Sequence, residues 1–113
     1  MTFNETLAER VREGLKHVQR VRERRMFGSI AFMVDGTMCV SVGHNRLMCR
    51  IDPALHETAI RRKGARTVRM GKRAYKGFVY VGKPGLKSKR ELGYWLDLSL
   101  SFNRRAPSYR KRI

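Results

Sequence analysis

An α+β domain, a single antiparallel sheet with helices packed on it, is the fold class this chain predicts. Three observations predict it. Asp35-Gly36 sits between two apolar runs, 29–34 and 37–42. Asp-Gly in that setting is among the strongest short hairpin signals, because a type I′ turn needs positive φ at both central residues. A second hairpin follows, since only Gly43-His44-Asn45 separates the second run from a third over 46–51, and so short a connection suits antiparallel neighbours. Finally, two capping-box patterns, Thr2 with Glu5 and Ser88 with Glu91, each open a stretch whose apolar residues recur at helical spacing.

Taken in order, the elements run as follows. Phe3, Leu7, Val11, Leu15 and Val18 form one apolar stripe, and charged residues cover the other faces. Residues 21–25 read as a charged connector. The Asp35-Gly36 turn pairs Val34 with Thr37, Met33 with Met38 and Phe32 with Cys39. The next hairpin pairs Val42 with Arg46 and therefore Cys39 with Cys49. Asp52-Pro53 starts a second helix, Asp as its cap and Pro in its first turn; it runs through Leu55, Ala59 and Ile60 to Gly64. Residues 66–70 and 77–82 read as two strands around a basic turn, "GKRAYKG", and 82–87 as a loop. The last helix carries Leu92, Trp95, Leu96, Ser99 and Phe102 on one side and closes at Pro107. The order is α-βββ-α-ββ-α, a two-layer arrangement. One domain over 1–103 and a basic, flexible tail over 104–113 are expected.

The chain has 113 residues, 42% of them apolar, enough for one core. Its charge is the outlier. Twenty-six Lys and Arg face nine Asp and Glu, a formal +17. Such a surface attracts polyanions and speeds encounter with them. The sequence predicts no secretory signal, since Glu5, Glu9, Arg10 and Arg12 interrupt the first apolar residues. No run approaches the ~20 apolar residues that span a bilayer. Two cysteines without a disulfide framework fit a reducing cytoplasm.

"ERRMFGSIAFMVDGTMCVSV", "RLMCRI", "MGKRAYKGFVYV" and "GLKSKRELGYWL" resemble, in order and spacing, the N-terminal domain of the TfoX (Sxy) family. That family shows an "MFGG-aFMv-G-MC" hairpin, an "RLM-R" strand, a "KGFVYV" strand and a closing helix with Trp. The resemblance covers about residues 5–103, and Ser29 stands where the second Gly is usual. It implies an α+β domain similar to secretion-chaperone-like folds. It also implies kinship with regulators of DNA competence that act alongside a DNA-binding activator. Those regulators carry a second, C-terminal domain; this chain resembles the stand-alone version. The family supplies no catalytic residues to carry over.

The residues offer few chemical candidates. Facing thiols at Cys39 and Cys49 have the geometry to oxidise, but reduced, structural cysteines are the expectation. Two Cys and three scattered His without metal-ligand spacing predict no metal site. His17, His44 and His56 read as surface histidines, and no nucleophile motif accompanies them. No cofactor, catalytic residue, small-molecule substrate or membrane contact is predicted.

Two constellations remain. The strand pairing puts Met33, Met38, Val40 and Met48 on one apolar face, with Ala31 and Val42, which predicts a homodimer or a protein partner there. Between Thr58 and Arg90 there are twelve Lys or Arg and no acid. Eight of them, Arg61, Arg62, Lys63, Arg66, Arg69, Lys72, Arg73 and Lys76, fall within sixteen residues, with Tyr75 among them. Arg104, Arg105, Arg110, Lys111 and Arg112 extend the charge. These residues predict sequence-tolerant nucleic-acid contact, with Tyr75 as a stacking ring; no base-reading motif is present. The expected function is a small regulatory or accessory protein, not an enzyme, acting through protein contacts and non-specific nucleic-acid binding. A pure interaction or dimerisation module is the alternative. An enzyme on an anionic substrate is a weaker one.

Overall fold

The computed structural model describes residues 3–105. Helix α1 (Glu5–Gly14) is capped by Asn4, whose Oδ1 accepts from the Leu7 N–H at 3.0 Å. The expected cap residue, Thr2, lies outside the described residues. Phe3, Leu7, Ala8, Val11 and Leu15 are buried, so the predicted stripe is the packed face.

The stretch taken for a connector is a strand, β1 (Val21–Met26), and the sheet gains a sixth member. "VRERRM" hides its strand character because it is an edge with almost no apolar side chain to bury. Its ladder to β2 (Ser29–Val34) runs from Val21↔Val34 to Met26↔Ser29. Charge on an edge strand also deters pairing with other chains. Glu23 and Arg25 turn toward the helices. Glu23 takes a two-pronged contact from Arg12, at 2.6 and 2.9 Å, which holds its carboxyl below the usual range, and Arg25 lies 5.2 Å from the Phe3 ring.

Asp35-Gly36 makes the predicted turn, with φ of +53° and +83°, and Val34↔Thr37 and Met33↔Met38 pair as expected. The register then slips. Phe32 pairs with Val40, leaving Cys39 as the extra residue of a bulge in β3 (Thr37–Val42). The following connection is a two-residue turn, His44-Asn45, because the Gly43 N–H already bonds the Arg46 carbonyl at 2.9 Å. Hence Val42 pairs with Leu47 of β4 (Arg46–Arg50), and Cys49 faces Val40 instead of Cys39. A slip of one residue exchanges faces. Val40 and Val42 therefore lie in the core at 0% exposure, and Val40 is withdrawn from the predicted apolar interface.

Asp52 caps a short 3-10 turn (Pro53–Leu55) by accepting from the Ala54 N–H at 2.9 Å, and α2 (His56–Ala59) continues it. His56 is buried, not on the surface. Its Nδ1 accepts from the Gly77 N–H at 2.9 Å, so the proton sits on Nε2, which meets Thr67 Oγ1 at 2.8 Å. These bonds pin the irregularity between β5 (Ala65–Met70) and β6 (Arg73–Gly82), where pairing jumps from Thr67↔Val79 to Val68↔Tyr75. Only Gly71-Lys72 is turn, since Met70 pairs with Arg73; most of the supposed basic loop is strand. Gly64 has φ +78°, and a Cβ there would stand 2.7 Å from the Gly85 N, so glycine is required where these two loops touch.

Helix α3 (Lys89–Arg105) begins with the predicted capping box: the Ser88 N–H donates to Glu91 Oε1 at 2.9 Å, and the Glu91 N–H to Ser88 Oγ at 3.0 Å. Arg104 and Arg105 belong to this helix; Pro107 lies outside the described residues. The sheet order is β1-β2-β3-β4-β6-β5, antiparallel throughout. α1 and α3 share one core with Ile30, Phe32, Val42, Leu47, Val79 and Val81 from the same face of the sheet, around Trp95. The opposite face carries neither of these helices.

Candidate nucleic-acid interface

Strand alternation decides what the open face presents. The registers align one row of side chains across all six strands: Arg24, Ala31, Ser41, Met48, Tyr80 and Arg66. At ~4.8 Å between strands, the row spans about 24 Å. Small residues lie toward one side, Met and Tyr toward the other, and an arginine stands at each end. The Arg46 guanidinium stacks on the Tyr80 ring, 3.5 Å from its centroid. Stacking pre-organises a guanidinium and leaves its N–H edge available to a phosphate or carboxylate. Of these, Ser41, Arg46, Met48, Tyr80 and Arg66 line an open groove of about 950 Å³, with Phe27, Ser29, His44 and Met70. None of the lining residues is acidic.

The basic residues singled out in the sequence divide among three places. Arg66 lies in this groove. Arg61, Arg62 and Lys63 follow α2 on the helix side, where Arg62 covers the Tyr94 ring at 3.7 Å. Lys72, Arg73, Tyr75 and Lys76, with Arg69, belong to the β5–β6 hairpin; Tyr75 is half-buried, and Arg73 sits 5.8 Å from its ring. Arg104 is exposed at the end of α3, and Arg105 bonds Asp52 at 3.2 Å. The Ala54 N–H, more than that arginine, keeps the Asp52 carboxyl low. Arg110, Lys111 and Arg112 lie outside the described residues. The charge therefore forms a belt around the β5–β6 side instead of a single patch.

Among the described residues, none of the twelve cations between Thr58 and Arg90 sits in an ion pair. The Ser88 N–H chiefly lowers the Glu91 carboxyl and Lys16 that of Glu13, to which Lys63 and Lys89 add only at longer range. Met33, Met38 and Met48 are half-buried, with Met33 directly opposite Met38. Among the described residues, the large apolar side chains left exposed are others: Met26, Phe27, Leu55 and Met70. His17 and His44 are on the surface as expected.

Burial pushes the Cys39 thiol up to about 12 and that of Cys49 higher still, so neither is a thiolate at neutral pH. Both are free and buried. Among the described residues no three His, Cys, Asp or Glu side chains gather as a metal site, and no helix is long and apolar enough to cross a membrane.

Sequence reasoning missed Arg46, Tyr80 and Phe27. Alternation puts Arg46 on the face of Met48, but only the pairing of β4 with β6, Met48↔Tyr80, brings Tyr80 beside it. Phe27 was hidden because Phe-Gly is not a usual turn pair. In comparisons with known proteins, the family model described as the TfoX N-terminal domain matches residues 13–103. No match was found among curated proteins or among solved structures.

Proposed function

This chain belongs to the TfoX N-terminal domain family, and from that premise we propose that it is a small regulatory or accessory protein that acts by binding, and that its cationic surface holds nucleic acid with little preference for sequence. One observation carries the reading: twelve cations between Thr58 and Arg90, with no acid in that segment and no ion pair among the described residues to neutralise them. Charge left unpaired, even spread as a belt, attracts phosphate, and each phosphate contact releases counterions. The competence- or transcription-related role that the resemblance implies would use such binding. The free, protonated thiols suit a reducing cytoplasm and no nucleophilic role.

Titration of the wild type with unrelated DNA and RNA at two salt concentrations tests this. Binding that weakens steeply with salt and hardly varies with sequence is the expected result. Lys72→Ser with Arg73→Ser and Lys76→Ser should weaken all duplexes alike and flatten the salt slope by about 0.9 per lost phosphate contact. No binding at low salt would overturn the reading.

A second reading, self-association through the helix-free face, is favoured by the Met33–Met38 pair there. Met38→Glu would then convert dimers to folded monomers in sedimentation. A wild type already monomeric at micromolar concentration removes it.

A further inference from the structure

Phe27 is fully exposed, at 107% of its reference surface, and its φ is +40°. Both facts are unfavourable. A bulky residue in the left-handed region is an outlier, and Asn, Asp or Gly would hold a type I′ turn at lower cost. The turn is well formed: Gly28 follows with φ +82°, Met26 pairs with Ser29, and Ser29 Oγ donates to the Met26 carbonyl at 2.8 Å. Nothing in the fold uses the ring. Strain held at a position that packs on nothing points to a role outside the fold.

The ring stands at the rim of the acid-free groove that holds Arg46, Arg66 and Tyr80. We propose that this groove is a single-strand nucleic-acid site, with Phe27 as the platform for an unstacked base and Arg46 and Arg66 as phosphate contacts. The proposal rests on the nucleic-acid reading above and moves its centre from the β5–β6 hairpin to the open face of the sheet. Three features favour this occupant. The groove carries positive charge and no negative charge. The Arg46 guanidinium is already oriented by Tyr80, and among the described residues neither it nor Arg66 is engaged in a hydrogen bond or ion pair. A free aromatic face beside a cationic groove is how sequence-tolerant proteins hold single strands, and duplex bases cannot reach such a ring. A second copy of the chain fits poorly, because it would bring +17 against +17.

The test measures fluorescence anisotropy of a labelled oligo-dT and of an unrelated duplex at low salt. It uses the wild type, Phe27→Asn and Arg46→Gln/Arg66→Gln, with thermal unfolding of each. Phe27→Asn should lose about tenfold or more in oligo-dT affinity, within the range for one stacked base. Its duplex affinity should change less than twofold, and its melting temperature should rise by a few degrees. The double arginine variant should lower the single-strand salt slope by about 1.4, two contacts at ~0.7 each. If Phe27→Asn is folded and binds oligo-dT like the wild type, the proposal is overturned, while wild-type binding itself keeps the broader reading intact. If the wild type binds neither probe, both fall. Polyglutamate that displaces oligo-dT from the wild type, and binds it but not Phe27→Asn directly, would assign the groove to acidic protein segments and overturn it also.

Discussion

Strand β2 is closed at each end by a two-residue turn, and the two turns share nearly one backbone. Phe27 and Gly28 have φ of +40° and +82°; Asp35 and Gly36 have +53° and +83°. Their side chains differ in kind. Asp tolerates the left-handed region, and Asp35 lies 3.4 Å from Arg20 Nη1. Phe27 is strained and wholly in water. The Asp turn is explained by the fold. The Phe turn works against local stability, and it borders the groove that carries unpaired arginines. When two sites share a geometry and only one breaks the local rule, the exception marks where something other than folding is served.

The contrast can be broken or sharpened by mutation. His56 belongs wholly to the fold side. Replacing it with Ala leaves the buried Gly77 N–H without its acceptor, and a loss of about 3 kcal/mol is expected in urea unfolding. Because the turns share a backbone, Gly28→Val and Gly36→Val should cost similar amounts, about 1–2 kcal/mol each. Unequal costs would show that the turns are not equivalent. The reciprocal exchange is more telling. Asp35→Phe should destabilise by about 1 kcal/mol, and Phe27→Asn should stabilise by about 0.5 kcal/mol. If both changes destabilise, Phe27 has a packing role and the contrast fails.

The smallest effect lies at the α3 cap. The Ser88 N–H, before the other groups around it, lowers the Glu91 carboxyl. A lowered folded-state pKa contributes stability above the ordinary Glu range, which is lost as pH falls through the folded value. Melting temperature should therefore decline on acidification below that range, and slightly less steeply in Glu91→Gln.

Much of the fold was legible because local rules and tertiary structure agree. Asp35-Gly36, the Ser88/Glu91 box and the stripe of Leu7, Val11 and Leu15 each appear where the sequence puts them. What was hidden is non-local. β1 is an edge strand whose polar side chains carry no period. The Cys39 bulge and the tight His44-Asn45 turn shift register by one residue, which no local pattern announces, and this moved Val40 into the core and separated Cys39 from Cys49. The candidate site suffered most. Arg66 was found from composition, but Arg46, Tyr80 and Phe27 come together only through the strand order β4-β6-β5 and the β1–β2 turn.

The central claim is that the helix-free face of the sheet receives single-stranded nucleic acid, and amide chemical shifts of the nitrogen-15-labelled protein, followed at low salt while oligo-dT is added, test it most directly. The account predicts that the signals that move cluster at Phe27, Gly28, Arg46, Met48, Arg66 and Tyr80, while those of Leu92, Leu96 and Leu100 in α3 stay in place. Movements confined to α3 or to the 72–76 hairpin, or none at all, would contradict it.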